Sequence, residues 1–300
     1  MDWKALSEKV RAVHIFAITP FKASEGMPVD LEGMRRNAAY WGSLEGKRVV
    51  AVCCGTGEHR SLSVEENRQV AEAAAEGIDG RCPLLVGIGG ETEQAVRMTK
   101  AAKEAGADVV LVMPEESVHE RGEEALYRHH AAIAEAAEIG VMPFRAGKIL
   151  FSVEMMVRLM EIPNVVSLKD ETGQFDWLRE MILATSGRLP AITGGEMLAP
   201  YAYLAGASGI TTGVACLLFH HSHEQWKAAM EGDFKHALAV RDRLAEITRF
   251  RGKTGGTFIK AGLELMGLAG GRVRANGAVM SEEDRRELRR LLVGLGAEVK

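Results

Sequence analysis

The sequence predicts an α/β protein, a (β/α)8 barrel followed by a C-terminal helical extension. Three observations carry this expectation. Eight short apolar segments of strand length alternate with segments of helical periodicity. The strand segments are apolar throughout rather than alternating, as in parallel sheets covered by helices. A chain of 300 residues accommodates eight such units as one closed barrel. An open dinucleotide-binding sheet would place a Gly-x-Gly-x-x-Gly turn after its first strand, where this chain has Thr19-Pro20-Phe21-Lys22.

The expected strands are 12–18, 48–53, 84–88, 109–113, 140–144, 165–169, 190–193 and 208–212. Helical patterns fill the intervals at 30–44, 63–76, 92–105, 122–138, 153–160, 175–185 and 197–204. Ser63 and Glu66 form a capping-box signature, in which the serine oxygen takes a free backbone N–H and the glutamate reaches back. Gly106 closes the helix before it. Leu126, His130, Ile133 and Ala137 share a face, and of His129 and His130 one is expected near the core and one in solvent. The barrel is assigned to residues 1–220 and the extension to 221–300. In the extension, helices are expected at 222–230, 234–250, 257–266 and 281–295. Leu288, Leu291, Leu292 and Leu295 stripe the last of these and need a surface, from the barrel or from a partner subunit.

Composition narrows the function. The chain is 47% hydrophobic and 26% charged, with a net charge of −4. It therefore carries no electrostatic footprint for nucleic acid or an anionic membrane. No apolar run reaches membrane-spanning length, and the polar start Met1-Asp2-Trp3-Lys4 has no signal-peptide core. A cytoplasmic location is expected. The four cysteines lack metal-ligand spacing. Cys53 and Cys54 adjoin at a strand end, so they should face opposite sides. Of His220, His221 and His223 the first two are adjacent, and no metal site is assigned.

In a barrel the loops after the strands share one mouth. Taken in order they supply Thr19; Gly55-Thr56-Gly57-Glu58; Gly90-Glu91; Pro114-Glu115-Glu116; Phe144-Arg145; Lys169; Gly194-Gly195-Glu196; and Thr211-Thr212-Gly213. By itself Lys169 could merely end a strand in solvent, as most lysines do. In this company it is a candidate nucleophile for a carbonyl. The glycines beside Thr56 let the backbone turn N–H groups toward an anion. Together these groups suit a 2-oxo acid, with its carboxylate on the loop and its ketone facing the lysine. A protonated imine would then act as an electron sink for C–C cleavage or for loss of a C4 hydroxyl. A phosphate cradle is the rival reading of the loop, but the Gly-Lys-Ser/Thr ending of a P-loop is missing. Gly194, Glu196 and Thr212 are placed against the substrate, Glu196 as acceptor from its hydroxyls. Glu58 is expected to tie the loop down, and Arg272 and Arg274 to be structural.

The chain resembles the dihydrodipicolinate synthase and N-acetylneuraminate lyase family. The resemblance rests on Gly55-Thr56-Gly57-Glu58, Leu62-Ser63 with Glu66, Gly87-Ile88-Gly89 and Gly106-Ala107-Asp108. It continues through Pro163-Asn164-Val165-Val166, Lys169-Asp170 and Ala205-Gly206-Ala207 with Gly209, and spans about residues 15–274. The loop Cys54-Gly55-Thr56-Gly57-Glu58 looks closer to the 5-dehydro-4-deoxyglucarate dehydratase type than to the synthases. The resemblance implies a barrel with a helical extension, a Schiff base on Lys169, a substrate carboxylate held at Gly55 and Thr56, no cofactor, and a homo-oligomer, either tetramer or dimer.

Two departures set the problem. The family's proton-relay tyrosine ends the fifth strand, where this chain has Phe144 followed by Arg145. After the fourth strand the family's aromatic hydroxyl is replaced by Glu115-Glu116. Tyr40, Tyr127, Tyr201 and Tyr203 all fall in helical segments. Thr56, Glu115, Glu196 and an ordered water are the candidate proton carriers, and Arg145 is a candidate partner for a second carboxylate or a sugar-acid hydroxyl. The expected activity is that of a Schiff-base lyase or dehydratase on pyruvate or a 2-keto-3-deoxy sugar acid. The competing reading is a binding or regulatory protein that keeps the carbonyl pocket without turnover, and a third is a phosphate-binding barrel isomerase.

Overall fold

Eight parallel strands close into a barrel in chain order, with β8 paired to β1. The computed structural model describes all 300 residues. The strands are β1 Val13–Phe16, β2 Arg48–Val52, β3 Leu84–Gly90, β4 Val109–Pro114, β5 Gly140–Arg145, β6 Leu168–Asp170, β7 Ala191–Gly194 and β8 Gly209–Thr212. Helix α1 (Trp3–Lys9) precedes them. Between strands lie α2 (Leu31–Ser43), α3 (Val64–Ile78), α4 (Thr92–Glu104), α5 (Glu116–Glu120), α6 (Glu123–Ala136), α7 (Val153–Met160), α8 (Phe175–Ala184) and α9 (Ala199–Ala205). After β8 come α10 (Ala215–Met230), α11 (Phe234–Arg243), α12 (Ala245–Thr254), α13 (Thr257–Leu265) and α14 (Glu282–Gly294). No helix is long and apolar enough to cross a membrane.

Period-two alternation divides the strand residues between two cores. Val49, Ala51, Leu85, Val109, Leu111, Met142 and Ile192 fill the barrel interior. Val50, Val52, Val86, Val110, Val112 and Val141 face the helices. Cys53 joins the outer core and Cys54 the inner one, on opposite sides as their adjacency requires. Leu6 and Val10 of the N-terminal segment close the bottom of the barrel, with Trp3 packed against them. Asp2 caps α1 by accepting the Ala5 N–H at 2.9 Å. The Ser63–Glu66 capping box is formed in both directions.

Several boundaries differ from the expectation. The expected division at 220/221 falls inside α10, which is the eighth barrel helix and begins at Ala215. Its early start was hidden by a kink at Leu218 (φ −133°, ψ 45°). The expected helix 234–250 is two helices that meet at Leu244. No glycine or proline marks that break; Leu244 is fully buried, and packing bends the chain there. Helix α5, ahead of α6, was not expected. The sixth strand is short because its lead-in serves two neighbours. Val166 N–H donates to Val141 of β5, whereas Leu168 N–H donates to Pro190 before β7. Both His129 and His130 are buried, and burial lowers their pKa values to about 4 and about 3. They are neutral core residues, and neither is wet.

The extension is fastened to the barrel by polar contacts as well as by the leucine stripe. Leu288, Leu291 and Leu292 are buried. The Asn37 side chain, on α2, donates to Ala269 O at 2.7 Å and accepts Ala269 N–H at 2.9 Å. Asn37→Leu would strand both backbone groups of Ala269. The expected cost is about 1–3 kcal/mol, read as a lower urea midpoint at unchanged m-value; an unchanged midpoint would show that Ala269 finds other partners.

Candidate active site

Lys169 stands on β6 at the C-terminal end of the barrel, beside Phe144 in the parallel register. Residues paired in this way point to the same side of the sheet, so the phenyl ring lies 4.0 Å from the Lys169 Nζ. Phe16, at the end of β1, presents its ring at 4.3 Å from the same nitrogen. Lys169 is only 3% exposed. A buried ammonium needs a counter-charge, and Glu171 supplies it with Oε1 2.9 Å from Nζ. Glu171 shares the face of Lys169 because it lies two residues further along the chain. Its Oε1 is also 3.4 Å from the Thr211 hydroxyl. Glu171 leans across Gly194, where an added Cβ would fall 2.4 Å from the Glu171 Cγ. Glycine at 194 leaves room for the carboxylate in this position; a larger residue would oblige Glu171 to shift.

The loop after β2 is held from beneath. Cys53 and Glu58 take left-handed conformations (φ 56° and 57°). A Cβ on Gly57 would crowd Cys53 N at 3.0 Å and Ala17 O at 3.2 Å. The Thr19 hydroxyl donates to Gly57 O at 2.7 Å. The Glu58 carboxylate pairs with Lys260 of α13 at 3.0 Å and accepts the Arg274 N–H at 2.8 Å. Burial lowers the Lys260 pKa, and Glu58 opposes that shift. Lys260 also donates to Thr19 O at 2.8 Å. Arg274 donates to Met27 O and Ser61 O and pairs with Glu66 at 2.7 Å. Glu58 and Arg274 are thus structural anchors. With the loop fixed, the N–H groups of Gly55, Thr56 and Gly57 donate to nothing in the chain.

A cavity of about 330 Å³ opens over this arrangement, lined by Phe16, Thr56, Glu171, Gly194, Thr211 and Thr212 among others. It adjoins a larger one of about 620 Å³, with which it shares Thr56, Gly195 and Arg251. Lys169 lines neither cavity. The smaller cavity is the more relevant to chemistry, because Glu171 and Phe16, which touch the Lys169 Nζ, form part of its wall.

Other expected site residues lie in different settings. Arg145 is turned to the outer face, opposite to Phe144. It donates to Asp170 Oδ1 at 2.8 Å and Thr172 Oγ1 at 2.6 Å, and its guanidinium stacks 3.8 Å from the Trp177 ring. It is 2% exposed and committed to a buried ion pair, so it does not reach a substrate at the mouth. Glu115 is exposed and lines a separate cavity of about 190 Å³ beside His59 and Gln94, away from Lys169. Glu196 lines the larger cavity and is 1% exposed. Its Oε1 lies 3.6 Å from Arg251 and has no hydrogen-bond partner. Burial raises the pKa of its carboxyl, and Arg251 opposes the shift. The Thr212 hydroxyl accepts the Val214 N–H at 3.0 Å, at the start of α10. All four tyrosines sit in helices, and none lines either cavity. His221 and His223 are engaged by backbone groups of Leu295 and Lys47.

Sequence reading missed Glu171, Phe16 and Arg251. Alternation from Lys169 along β6 points to Glu171, and the same count along β1 brings Phe16 inward. Nothing in the sequence singles out Arg251, which reaches the mouth from α12.

Comparison with known proteins agrees with this architecture. The family model described as "Dihydrodipicolinate synthetase family" matches residues 9–294. A 4-hydroxy-tetrahydrodipicolinate synthase of Halorhodospira halophila is 30% identical over 295 residues, covering 95% of this chain and 97% of that protein. A protein of Bacillus licheniformis named "Probable 5-dehydro-4-deoxyglucarate dehydratase" is 26% identical over 265 residues, covering 82% and 86%. Among solved structures, dihydrodipicolinate synthase from Aquifex aeolicus superposes with a TM-score of 0.86 at 27% identity, covering 96% and 99% of the two chains. The enzyme from Acinetobacter baumannii, solved in complex with pyruvate, superposes with a TM-score of 0.83 at 28% identity, covering 95% and 99%. With a matching family model across nearly its whole length and a lysine at the mouth of a closed eight-stranded barrel, this chain belongs to the dihydrodipicolinate synthase family.

Proposed function

We propose that this enzyme is a lyase in which Lys169 forms a Schiff base with the ketone of a 2-oxo acid. The observation that carries the proposal is the setting of Lys169: buried at the barrel mouth, paired with Glu171, and flanked by two aromatic rings. The free N–H groups of Gly55, Thr56 and Gly57 supply donors for the substrate carboxylate. Attack by the neutral amine on C2, followed by loss of water, leaves a cationic imine between Phe16 and Phe144. Ring faces stabilise such a cation, by about 2 kcal/mol where water is excluded. The imine then accepts an electron pair, either from a breaking C3–C4 bond or from a C3 carbanion that expels a C4 hydroxyl. Pyruvate and 2-keto-3-deoxy sugar acids are the substrate class.

The chain acts as a homo-oligomer, a tetramer or a dimer, in the cytoplasm. Leu183 and Leu204 are 62% and 67% exposed on α8 and α9, beside exposed Leu198 and Tyr201. Such an apolar patch suits a contact between copies.

Sodium borohydride with pyruvate or 2-keto-3-deoxygluconate should add one reduced substrate to the peptide carrying Lys169. Lys169→Ala should abolish the adduct, and absence of an adduct with both acids would refute the imine. The double variant Leu183→Glu with Leu204→Glu should lower the mass in sedimentation while leaving the adduct in place. An unchanged mass would exclude this patch as the interface.

A further inference from the structure

We infer that Glu171 is the acid–base catalyst of this site, carrying the proton that a tyrosine hydroxyl cannot carry here. The inference rests on the Schiff-base reading of Lys169 and extends it to a residue with no assigned role. Four observations converge on it. The ring that faces Lys169 from β5 is a phenyl group without a hydroxyl. No tyrosine lines the mouth. The other glutamates expected to carry protons stand elsewhere, since Glu115 lines a separate cavity and Glu196 faces Arg251 in the larger cavity. Glu171 alone has a carboxylate both against the reacting nitrogen, at 2.9 Å, and in the wall of the adjoining cavity.

Its surroundings also let it move. On one side is Gly194, with no side chain to block it, and on another the Thr211 hydroxyl at 3.4 Å. Lys169 is 4% exposed at its side chain, whereas Glu171 is 38% exposed. A ketone entering the cavity therefore meets Glu171 before Lys169, and must displace it to reach Nζ.

The proton balance closes without a further reagent. Glu171 accepts a proton from the Lys169 ammonium, and the freed amine pair forms the N–C2 bond. The nitrogen passes a second proton to the former carbonyl oxygen, and the protonated carboxyl gives its own to the resulting carbinolamine hydroxyl, which leaves as water and gives the cationic imine with the third proton still on nitrogen. Glu171, again a carboxylate, removes a proton from C3, and the C–H electron pair moves into the C2–N system. In a dehydration the same pair expels the C4 hydroxyl, which takes the proton from Glu171 and leaves as water. In aldol addition the enamine attacks an aldehyde, whose oxygen takes that proton instead.

The test separates imine formation from C3 proton transfer, with pyruvate as the probe. Borohydride trapping reports the imine on Lys169. Loss of the pyruvate methyl signal in D2O, followed by proton NMR, reports C3 exchange. The wild-type enzyme should do both. Glu171→Gln should still reach the Lys169 adduct, though more slowly because Glu171 also moves the ammonium proton, and once the imine has formed it should exchange C3 hydrogens at least about a hundredfold more slowly. Glu171→Asp, which keeps a carboxylate, should retain more exchange than Glu171→Gln. Exchange in Glu171→Gln within about threefold of wild type would overturn the assignment. So would a folded Glu171→Gln that forms no adduct even after long incubation with pyruvate, since Glu171 would then only hold Lys169 in place, and so would a wild-type adduct without exchange. Absence of an adduct in the wild type is a different failure, which removes the Schiff-base reading itself.

Discussion

The ion pair between Lys169 and Glu171 is the constraint around which the top of the barrel is arranged. An ammonium buried between two phenyl rings loses most of its hydration, and the rings return only part of that loss. A carboxylate in contact restores the balance. In its present rotamer Glu171 occupies the space beside Gly194, so a side chain there would oblige it to shift. The three strand ends β6, β7 and β8 thereby meet at one carboxylate: Glu171 follows β6 and pairs with Lys169, it lies over Gly194 of β7, and Thr211 of β8 borders it.

The opposite wall of the cavity is held by a different device. The loop after β2 leaves the N–H groups of Gly55, Thr56 and Gly57 without partners in the chain, an arrangement that costs stability unless something else fixes the backbone. That support comes from Lys260 and Arg274, both of the C-terminal extension. The extension is therefore part of the site and not an appendage. Its α13 lysine reaches Glu58 and Thr19 O, and α12 brings Arg251 to the mouth. A boundary drawn at residue 220 hides this dependence, because the chain closes its barrel and then returns to brace it.

Much of this was legible in the sequence, for identifiable reasons. The closed barrel followed from eight apolar segments alternating with helical ones, since parallel strands covered by helices have no polar face. The Ser63–Glu66 box and the Cys53–Cys54 division needed only local rules. What escaped was set by tertiary contacts. The break at Leu244 has no punctuating residue, and the kink at Leu218 interrupts a periodicity that would otherwise have marked the start of α10. Arg145 looked like a mouth residue because it follows Phe144. The same alternation that turns Phe144 inward sends Arg145 outward, to Asp170 and Trp177. Glu171 was overlooked for the mirror-image reason: alternation continued past Lys169 returns to the same face.

The phenyl ring at 144 and the carboxylate at 171 are best understood together. A tyrosine facing the lysine can stabilise a cation through its ring and move a proton through its hydroxyl. Phe144 has the first capacity and not the second. A carboxylate contributes the reverse pair of properties, since it carries protons readily but offers no ring face. Phenylalanine at 144 leaves the ammonium without a polar neighbour on that side, which strengthens the demand for a counter-ion elsewhere. Glu171 satisfies that demand from the residue just after the lysine's strand. The two residues are complementary, and the group that neutralises the resting ammonium is, by its position, the group able to move its proton.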